Sequence, residues 1–167
     1  DIPRVPSEAE MELTAPGDEA ACVALSLQAF TQDRFHSDPE VPDWAADRVR
    51  AAWVRNDLNG RADACFVVRA DGAVAGFNLC LLDGNEAIID LIAVDISQRQ
   101  QGFGTWLVTG AVDFYSGRAE TMRVGTQADN APSLALYRGA GFTEARRQET
   151  VHWINADAAP ADGARGS

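Results

Sequence analysis

The order of apolar segments in this sequence predicts a single domain of the α/β (α+β) class, built on a mixed sheet. The chain has 167 residues, of which 46% are hydrophobic, so it has the size of one domain and enough apolar side chains for a core. Strand-like segments follow one another in the middle of the chain, and helical segments precede them and later alternate with strands. The order β-α-α-β-β-β-α-β-α-β differs from the regular alternation of a doubly wound fold.

The first part of the chain predicts one short strand and two helices. We expect the strand at 11–14 and the first helix over 17–30, where apolar residues recur at helical spacing and Asp18 can serve as N-cap. The second amphipathic helix is expected over 44–60, and the Asn-Gly pair at its end favours termination there.

The middle and the end of the chain predict most of the sheet. Two apolar segments around Asp71 and Gly72 are typical of a β-hairpin over 63–82. The next segment, 86–94, is apolar enough to form a central strand. The segments after it are a helix over 105–117, a strand at 121–127, a short helix within 130–142 and a last strand at 144–154.

Charge and composition exclude several classes of function. The formal net charge of -11 argues against non-specific binding to nucleic acid or to an anionic membrane. All 14 basic residues are arginine, which excludes a Schiff-base lysine and the lysine of a phosphate-binding P-loop. Because the sequence contains neither a membrane-length apolar run nor the apolar region of a signal peptide, we expect a cytoplasmic protein. The chain begins at Asp1 rather than at a methionine, so we expect a piece of a longer chain.

Cysteines and histidines give little sign of metal or thiol chemistry. Cys22, Cys65 and Cys80 lie in apolar segments without a Cys-x-x-Cys pair, and we expect them to be reduced core residues. The two histidines are far apart in the sequence, so we expect no metal site.

Two glycines, Gly102 and Gly104, lie between the predicted central strand and the helix that follows it. A helix N-terminus carries unpaired N–H groups and a partial positive charge, and glycine lets an anion approach the backbone closely. The segment 98–105 contains Arg99 and no carboxylate, so it suits a pyrophosphate. A tight turn without a ligand is the alternative interpretation. The dinucleotide-binding fingerprint is not met, because Leu107 stands at the position of its third glycine.

The pattern Arg99-x-x-Gly102-x-Gly104, after a strand and opening a helix, resembles the acetyl-CoA-binding motif of the GNAT superfamily of N-acetyltransferases. The later segment RVGTQADNAPSLALYRGAGF resembles the strand, Asn, Leu-Tyr and Gly-Phe portion of the same superfamily. The resemblance covers roughly residues 11–155. It implies a mixed, mostly antiparallel twisted sheet flanked by helices, with splayed central strands that bind CoA.

The resemblance also implies acetyl-CoA as the acyl donor and assigns its contacts. The main chain of residues 92–94 would bind the pantetheine arm as an added strand-like partner, and the backbone of 99–105 would hold the pyrophosphate. The implied cofactor-binding residues are Ile92, Ala93, Val94, Arg99, Gln100, Gln101, Gly102, Phe103, Gly104, Thr105, Asn130, Ser133 and Tyr137.

The family pattern places the general acid at Tyr137. A departing thiolate needs a proton, and a tyrosine, with its ordinary pKa near ~10, can donate one without starting out ionised. Asn130 and Tyr137 are two helical turns apart, so both can face one site. The alternative is that Tyr137 is a core aromatic residue.

The group that takes the proton from the amine is less defined. By two-residue alternation, Glu86, Asp90 and Ile92 share one face of the predicted strand, and family members often carry a carboxylate there. Asp90 and Glu86 are therefore the candidates for the general base. A chain of water molecules beside structural carboxylates is the alternative.

The loop between the first two helices is the expected acceptor site. Arg34, Phe35, His36 and Trp44 offer a cation, stacking surface and hydrogen bonds, which suits a nucleotide or another flat anion. A packed loop is an equally good interpretation. The string Arg-Val-x-Thr-Gln-x-x-Asn at 123–130 is similar to bacterial dTDP-fucosamine-type N-acetyltransferases, which implies a nucleotide-linked amino sugar.

Taken together, the sequence predicts an enzyme that transfers acetyl directly to the primary amine of a small molecule in a ternary complex. It would act as a monomer or homodimer, without nucleic acid or membrane partners. The alternatives are a protein N-terminal acetyltransferase and a non-catalytic CoA-binding module. The expected organisation is a flexible segment at 1–10, the acetyltransferase domain at 11–155 and a disordered tail or linker at 156–167.

Overall fold

The computed structural model describes residues 9–29 and 42–148, which form a five-stranded sheet with two helices against each face. The strands are β1 (Glu10–Leu13), β2 (Ala64–Ala70), β3 (Ala73–Asp83), β4 (Glu86–Val94) and β5 (Thr121–Val124). The helices are α1 (Glu19–Ala29), α2 (Asp43–Asn56), α3 (Phe103–Tyr115) and α4 (Ala131–Gly139). Within these residues no helix combines the length and the apolarity that crossing a bilayer requires.

The strands lie side by side in chain order, and the predicted mixed, mostly antiparallel sheet is confirmed. β1 to β4 pair antiparallel, and β5 joins β4 in parallel after the crossover through α3. The predicted hairpin turn is confirmed as well, because Asp71 (φ 51°) and Gly72 (φ 77°) both adopt the left-handed conformation that a tight two-residue turn requires.

β4 contains a β-bulge at Asp90. Leu79 of β3 pairs with Leu91, and the next residue, Cys80, pairs with Ile89, so Asp90 has no partner position on β3. One extra residue in one strand reverses the alternation of side chains beyond it. The side chains of odd-numbered residues of β4 therefore lie on one face of the sheet before the bulge and on the other face after it.

The burial of β4 side chains follows this reversal. Ile89 before the bulge and Ile92 after it both pack in the cluster beneath α3 and α4, although they are three residues apart. Asp90 lies on the other side and contacts Trp53 of α2. The prediction that Ile92 shares a face with Glu86 and Asp90 is therefore wrong, because simple alternation does not hold across a bulge.

Two separate clusters of buried side chains fix the sheet between its helices. On one face, Phe103 and Leu107 of α3 and Tyr137 of α4 pack with apolar residues of β2, β3 and β4. On the other face, α1 and α2 pack through Leu25 and Val54 against the same strands. Because both faces are covered, the central strands are apolar on both sides.

The ends of the chain bear on two further predictions. The predicted segment at 1–10 lies almost wholly, and the tail at 156–167 wholly, outside the described residues. The last predicted strand, 144–154, is not seen at 144–148, and its remainder lies outside the described residues. Arg147 donates a 2.6 Å hydrogen bond to Glu144 three residues earlier, a contact that an extended strand would not allow because such residues point to opposite faces.

Gly76 of β3 lies close to both β4 and α3. A Cβ at this position would lie 2.9 Å from the carbonyl oxygen of Ala93 and 3.1 Å from Leu107 Cδ1. We expect Gly76→Ala to lower the free energy of unfolding by about 1–3 kcal/mol, as overpacking does in other cores. Chemical denaturation would measure this. Gly139→Ala is the matched control, since nothing lies within 4 Å of its added Cβ; an equal loss in both variants would contradict the packing argument.

Candidate active site

The sheet opens between β4 and β5. Their parallel pairing runs from Glu86 opposite Thr121 to Ile89 opposite Val124 and stops there, although β4 continues to Val94. In the part of the chain that the structure describes, no strand covers this side of β4 beyond Ile89. The opening begins at Asp90, the bulge residue.

A cavity of about 90 Å³ occupies the opening. It is bounded by the second half of β4, by the residues that follow β5 and by the first two turns of α4. Its lining includes five of the predicted site residues, namely Asp90, Ile92, Asn130, Ser133 and Tyr137. These residues, which are far apart in the sequence, are thus brought together around one gap.

The turn that leads into α3 has the geometry of an anion-binding site. Gly102 is the N-cap and adopts a left-handed conformation (φ 87°, ψ -7°), as does Gln100 (φ 63°). The first helical hydrogen bond runs from the N–H of Trp106 to the carbonyl of Gly102, which leaves the N–H groups of the first turn outside the helical ladder. The first turn holds no acidic residue, so its partial positive charge is not neutralised locally.

Packing fixes this turn beside the cavity. Phe103 is 1% exposed and anchors the start of α3 in the core. A Cβ at Gly104 would lie 3.4 Å from the Leu136 side chain of α4 and 3.9 Å from that of Val94 at the end of β4. The helix start, the end of β4 and α4 therefore form one packed unit.

Tyr137 lines the cavity and is protonated at neutral pH. It is 7% exposed and packs 6.0 Å from the ring of Phe142, measured between centroids. Burial raises the pKa of Tyr137 to about 12. The hydroxyl therefore holds its proton throughout the neutral range. Asn130 has a structural role in the same helix, since its side-chain oxygen accepts a hydrogen bond from the Ser133 N–H and caps α4.

The two carboxylates of β4 have different surroundings. Asp90 lines the cavity, and its Oδ2 accepts hydrogen bonds from Trp53 Nε1 at 2.6 Å and from Arg61 Nη1 at 2.7 Å. Glu86 lies at the start of β4 and pairs with Arg123 of β5 at 3.0 Å, with both side chains substantially exposed. Asp90 alone of the two is placed beside Tyr137 in the lining of the gap.

A model of the acetyltransferase (GNAT) family matches residues 26–142 of the chain. The chain belongs to the GNAT family. It is 31% identical over 141 residues to the spore coat polysaccharide biosynthesis protein SpsD of Bacillus subtilis, covering 84% of this chain and 49% of that protein. It is 30% identical over 149 residues to a mycothiol acetyltransferase of Clavibacter michiganensis, covering 79% of this chain and 47% of that protein. The chain thus spans about half the length of these relatives.

Solved structures share the fold. The chain superposes with a TM-score of 0.67 on AAC(6')-Iy in complex with a CoA bisubstrate analogue, at 19% identity and with coverage of 89% of this chain and 100% of that one. The TM-score to the ribosomal-protein-S18-alanine N-acetyltransferase from Escherichia coli is 0.66, at 24% identity, with coverage of 83% and 79%. The predicted GNAT fold is therefore confirmed.

The predicted acceptor residues of this GNAT chain are only partly described. Arg34, Phe35 and His36 lie outside the described residues. Trp44 is in the first turn of α2, 63% exposed, and Arg48 lies 5.8 Å above its ring. Trp44 does not line the gap between β4 and β5.

Three residues around Asp90 were not predicted from the sequence. Trp53 and Arg61 bind its carboxylate, and Asp57 shares the Arg61 guanidinium with it. The i,i+4 spacing of Asp57 and Arg61 near a predicted helix end is the one signal in the sequence. Nothing in the sequence joins this pair to β4, because the contact is made across the sheet.

The chain contains two tyrosines, Tyr115 and Tyr137, so a titration can test the burial of the Tyr137 side chain. Burial raises the pKa of Tyr137 to about 12, and burial together with the hydrogen bond to Asp63 raises the pKa of Tyr115 further. An ultraviolet titration of the folded protein should therefore show no tyrosinate step near the ordinary value of ~10. Denaturant should restore that step for both residues. A folded-state step near ~10 that Tyr137→Phe removes would contradict the placement of Tyr137.

Proposed function

We propose that this chain is an acetyl-CoA-dependent N-acetyltransferase that moves an acetyl group to the primary amine of a small molecule by direct transfer. The observation that supports it most is the gap between β4 and β5. The anion-binding turn at Gly102 stands beside one end of the gap, and Tyr137 and Asp90 line it. The turn can hold the donor, and Tyr137 and Asp90 can serve as acid and base, which are the groups that transfer from a thioester to an amine needs in a GNAT protein.

The donor would be held by backbone groups. The N–H groups of 102–105 are free to receive the pyrophosphate, and Arg99, exposed beside them, adds a positive charge. The uncovered side of β4 over residues 92–94 offers main-chain groups to the pantetheine arm, as a sheet edge does to an added strand. Bound there, acetyl-CoA supplies the acetyl group as a thioester.

Tyr137 is the proposed general acid. The thiolate that leaves during transfer needs a proton, and the buried Tyr137 hydroxyl retains one at neutral pH. The side chain sits in the core cluster with Phe103 and Leu107, which fixes its orientation. Asn130 and Ser133, through the cap of α4, set the position of the helix that carries it.

Asp90 is the proposed base, acting directly or through a water molecule. It lines the same gap as Tyr137, and both hydrogen bonds that it receives from the described residues go to Oδ2. Glu86, the other candidate, is engaged with Arg123 at the closed end of the strand pair and is the weaker one.

The acceptor is proposed to be an amine on a small sugar-like molecule, with a nucleotide-linked amino sugar as the specific candidate. The long matches support this class, since SpsD and mycothiol acetyltransferases align over 79–84% of the chain. The bS18-alanine N-acetyltransferase of Escherichia coli aligns over 48%. Arg34, Phe35, His36 and Trp44 remain the proposed acceptor contacts.

Gly104 tests the donor site. Gly104→Glu places bulk and negative charge at the first turn of α3, where the pyrophosphate would lie, so we expect no measurable acetyl-CoA binding by calorimetry. Gly104→Ala is the matched control: its Cβ meets Leu136 at an ordinary 3.4 Å, so binding should persist. Equal affinity in Gly104→Glu and the unmodified protein would remove the pyrophosphate from this turn.

Tyr137 and the acceptor are tested in one assay of thiol release from acetyl-CoA. The panel comprises dTDP-linked amino sugars, free amino sugars, polyamines, aminoglycosides and N-terminal peptides. We expect turnover with an amino-sugar class, and a loss of roughly 10²-fold in Tyr137→Phe with acetyl-CoA affinity retained. Tyr115→Phe is the control, because Tyr115 bonds Asp63 and does not line the gap.

The outcomes separate the alternatives. Turnover with peptides and not with sugars would favour an N-terminal acetyltransferase. Acetyl-CoA binding without turnover of any acceptor would favour a non-catalytic CoA-binding module. Unchanged turnover in Tyr137→Phe would exclude Tyr137 as the acid.

A further inference from the structure

A buried carboxylate that the proposed chemistry does not use lies behind Asp90. Asp57 is 1% exposed and opens a wide helical turn, Asp57–Arg61, at the end of α2. Gly60, with φ 104°, ends this turn and directs Arg61 back towards the sheet. The carboxylate is thus enclosed between α2 and the sheet, where an unbalanced charge is costly.

One guanidinium nitrogen joins this carboxylate to β4. Arg61 Nη1 donates both to Asp57 Oδ1 and, at 2.7 Å, to Asp90 Oδ2. The other donor to Asp90 Oδ2 is Trp53 Nε1 at 2.6 Å. Asp90 follows Ile89, which packs beneath α3, so the alternation of the strand places its side chain on the opposite face, where this group lies. The chain Asp57–Arg61–Asp90–Trp53 is therefore continuous.

We propose that Asp57 is a positioning residue that acts through Arg61 on Asp90. The negative charge of Asp57 holds the Arg61 guanidinium, which Asp57 shares with Asp90. Arg61 therefore orients Asp90 but does not fully neutralise its charge. The inference rests on the proposed function, in which Asp90 faces the reacting amine. Asp57 itself is buried and touches neither reactant.

The second oxygen of Asp57 makes this arrangement sensitive to protonation. Oδ2 is buried and receives no hydrogen bond from the described residues. Burial raises the pKa of Asp57 to about 6, against the opposing effect of Arg61. Above this value Asp57 is charged and competes with Asp90 for the charge of Arg61; below it, Asp57 is neutral and competes less.

The charged and titratable groups that face Asp57 come from three elements. They are Arg61 of its own turn, Asp90 of β4 and Cys65 of β2, whose thiol lies 3.8 Å from the Asp57 main-chain oxygen. Burial raises the pKa of Cys65 to about 11, so this thiol stays neutral near pH 6, and Arg61 stays charged. Arg50 of α2 lies 5.2 Å above the Trp53 ring. A change near pH 6 in this group is therefore assigned to Asp57.

The experiment reads Trp53 directly and needs no acceptor. In an ¹⁵N-labelled protein, the indole N–H resonance of Trp53, assigned with Trp53→Phe, should titrate with a midpoint of about 6. Asp57→Asn should abolish this titration. Asp18→Asn is the matched control, a buried carboxylate paired at 2.9 Å with Arg69 at the other edge of the sheet, and it should leave the titration in place.

Arg61 tests whether the coupling passes through the guanidinium. In Arg61→Gln the titration should disappear, and Asp57→Asn should then have no further effect, as a double-mutant cycle requires for residues that act in series. Arg61→Lys should restore part of the titration, because an ammonium can still contact two carboxylates. A Trp53 resonance that does not move between pH 5 and 7.5, or moves equally in Asp57→Asn, overturns the proposal.

Turnover gives the catalytic readout with the acceptor found in the panel. Asp57→Asn should lower kcat about 3- to 10-fold with acetyl-CoA affinity unchanged, and the rise in kcat through about pH 6 should be lost. A loss of kcat with the pH profile intact would mean a structural role and would refute the positioning role. If the unmodified protein shows no turnover, the proposed function fails, while the resonance experiment still decides whether Asp57 acts on Asp90.

Discussion

The bulge in β4 at Asp90 is the constraint on which the site depends. β4 must pair with β3 along its whole length, yet it must release β5 after Ile89. An extra residue increases the local twist and bends the strand. Beyond the bulge, β4 pairs with β3 again but no longer with β5. The gap and the edge of 92–94 that β5 leaves unpaired begin directly after this change in pairing.

An open sheet edge is costly unless the surrounding structure holds it. Here two core clusters do so, since both faces of β3 and β4 are packed against helices. Gly76 lets α3 approach β3 closely, and buried Asn78 donates a 3.1 Å hydrogen bond to the carbonyl of Leu107 in α3. A buried amide bond of this kind fixes a helix against a strand, because its loss would leave a polar group unpaired. The start of α3 is thereby held at a constant position beside the gap.

Local sequence signals predicted the parts of the fold that local physics determines. The Asp71-Gly72 turn and the glycine turn before α3 were predictable, because both need left-handed backbone that few residues adopt. The faces of β4 were not, since a bulge leaves no mark in a run of apolar residues and alternation fails beyond it. The contacts of Asp90 with Trp53 and Arg61 were not predictable either, because they join α2 and its following turn to β4 across the sheet. Ion pairs between distant segments depend on the register of the whole sheet.

The bulge also separates the two proposed proton-transfer groups. Tyr137 belongs to the cluster beneath α3 and α4, whereas Asp90 contacts α2 on the opposite side of the sheet. Their surroundings differ as well: the apolar environment of Tyr137 raises its pKa and keeps it protonated, whereas Asp90 accepts hydrogen bonds from Trp53 and Arg61. A proton can then be removed from the amine on one side of β4 and delivered to sulfur on the other.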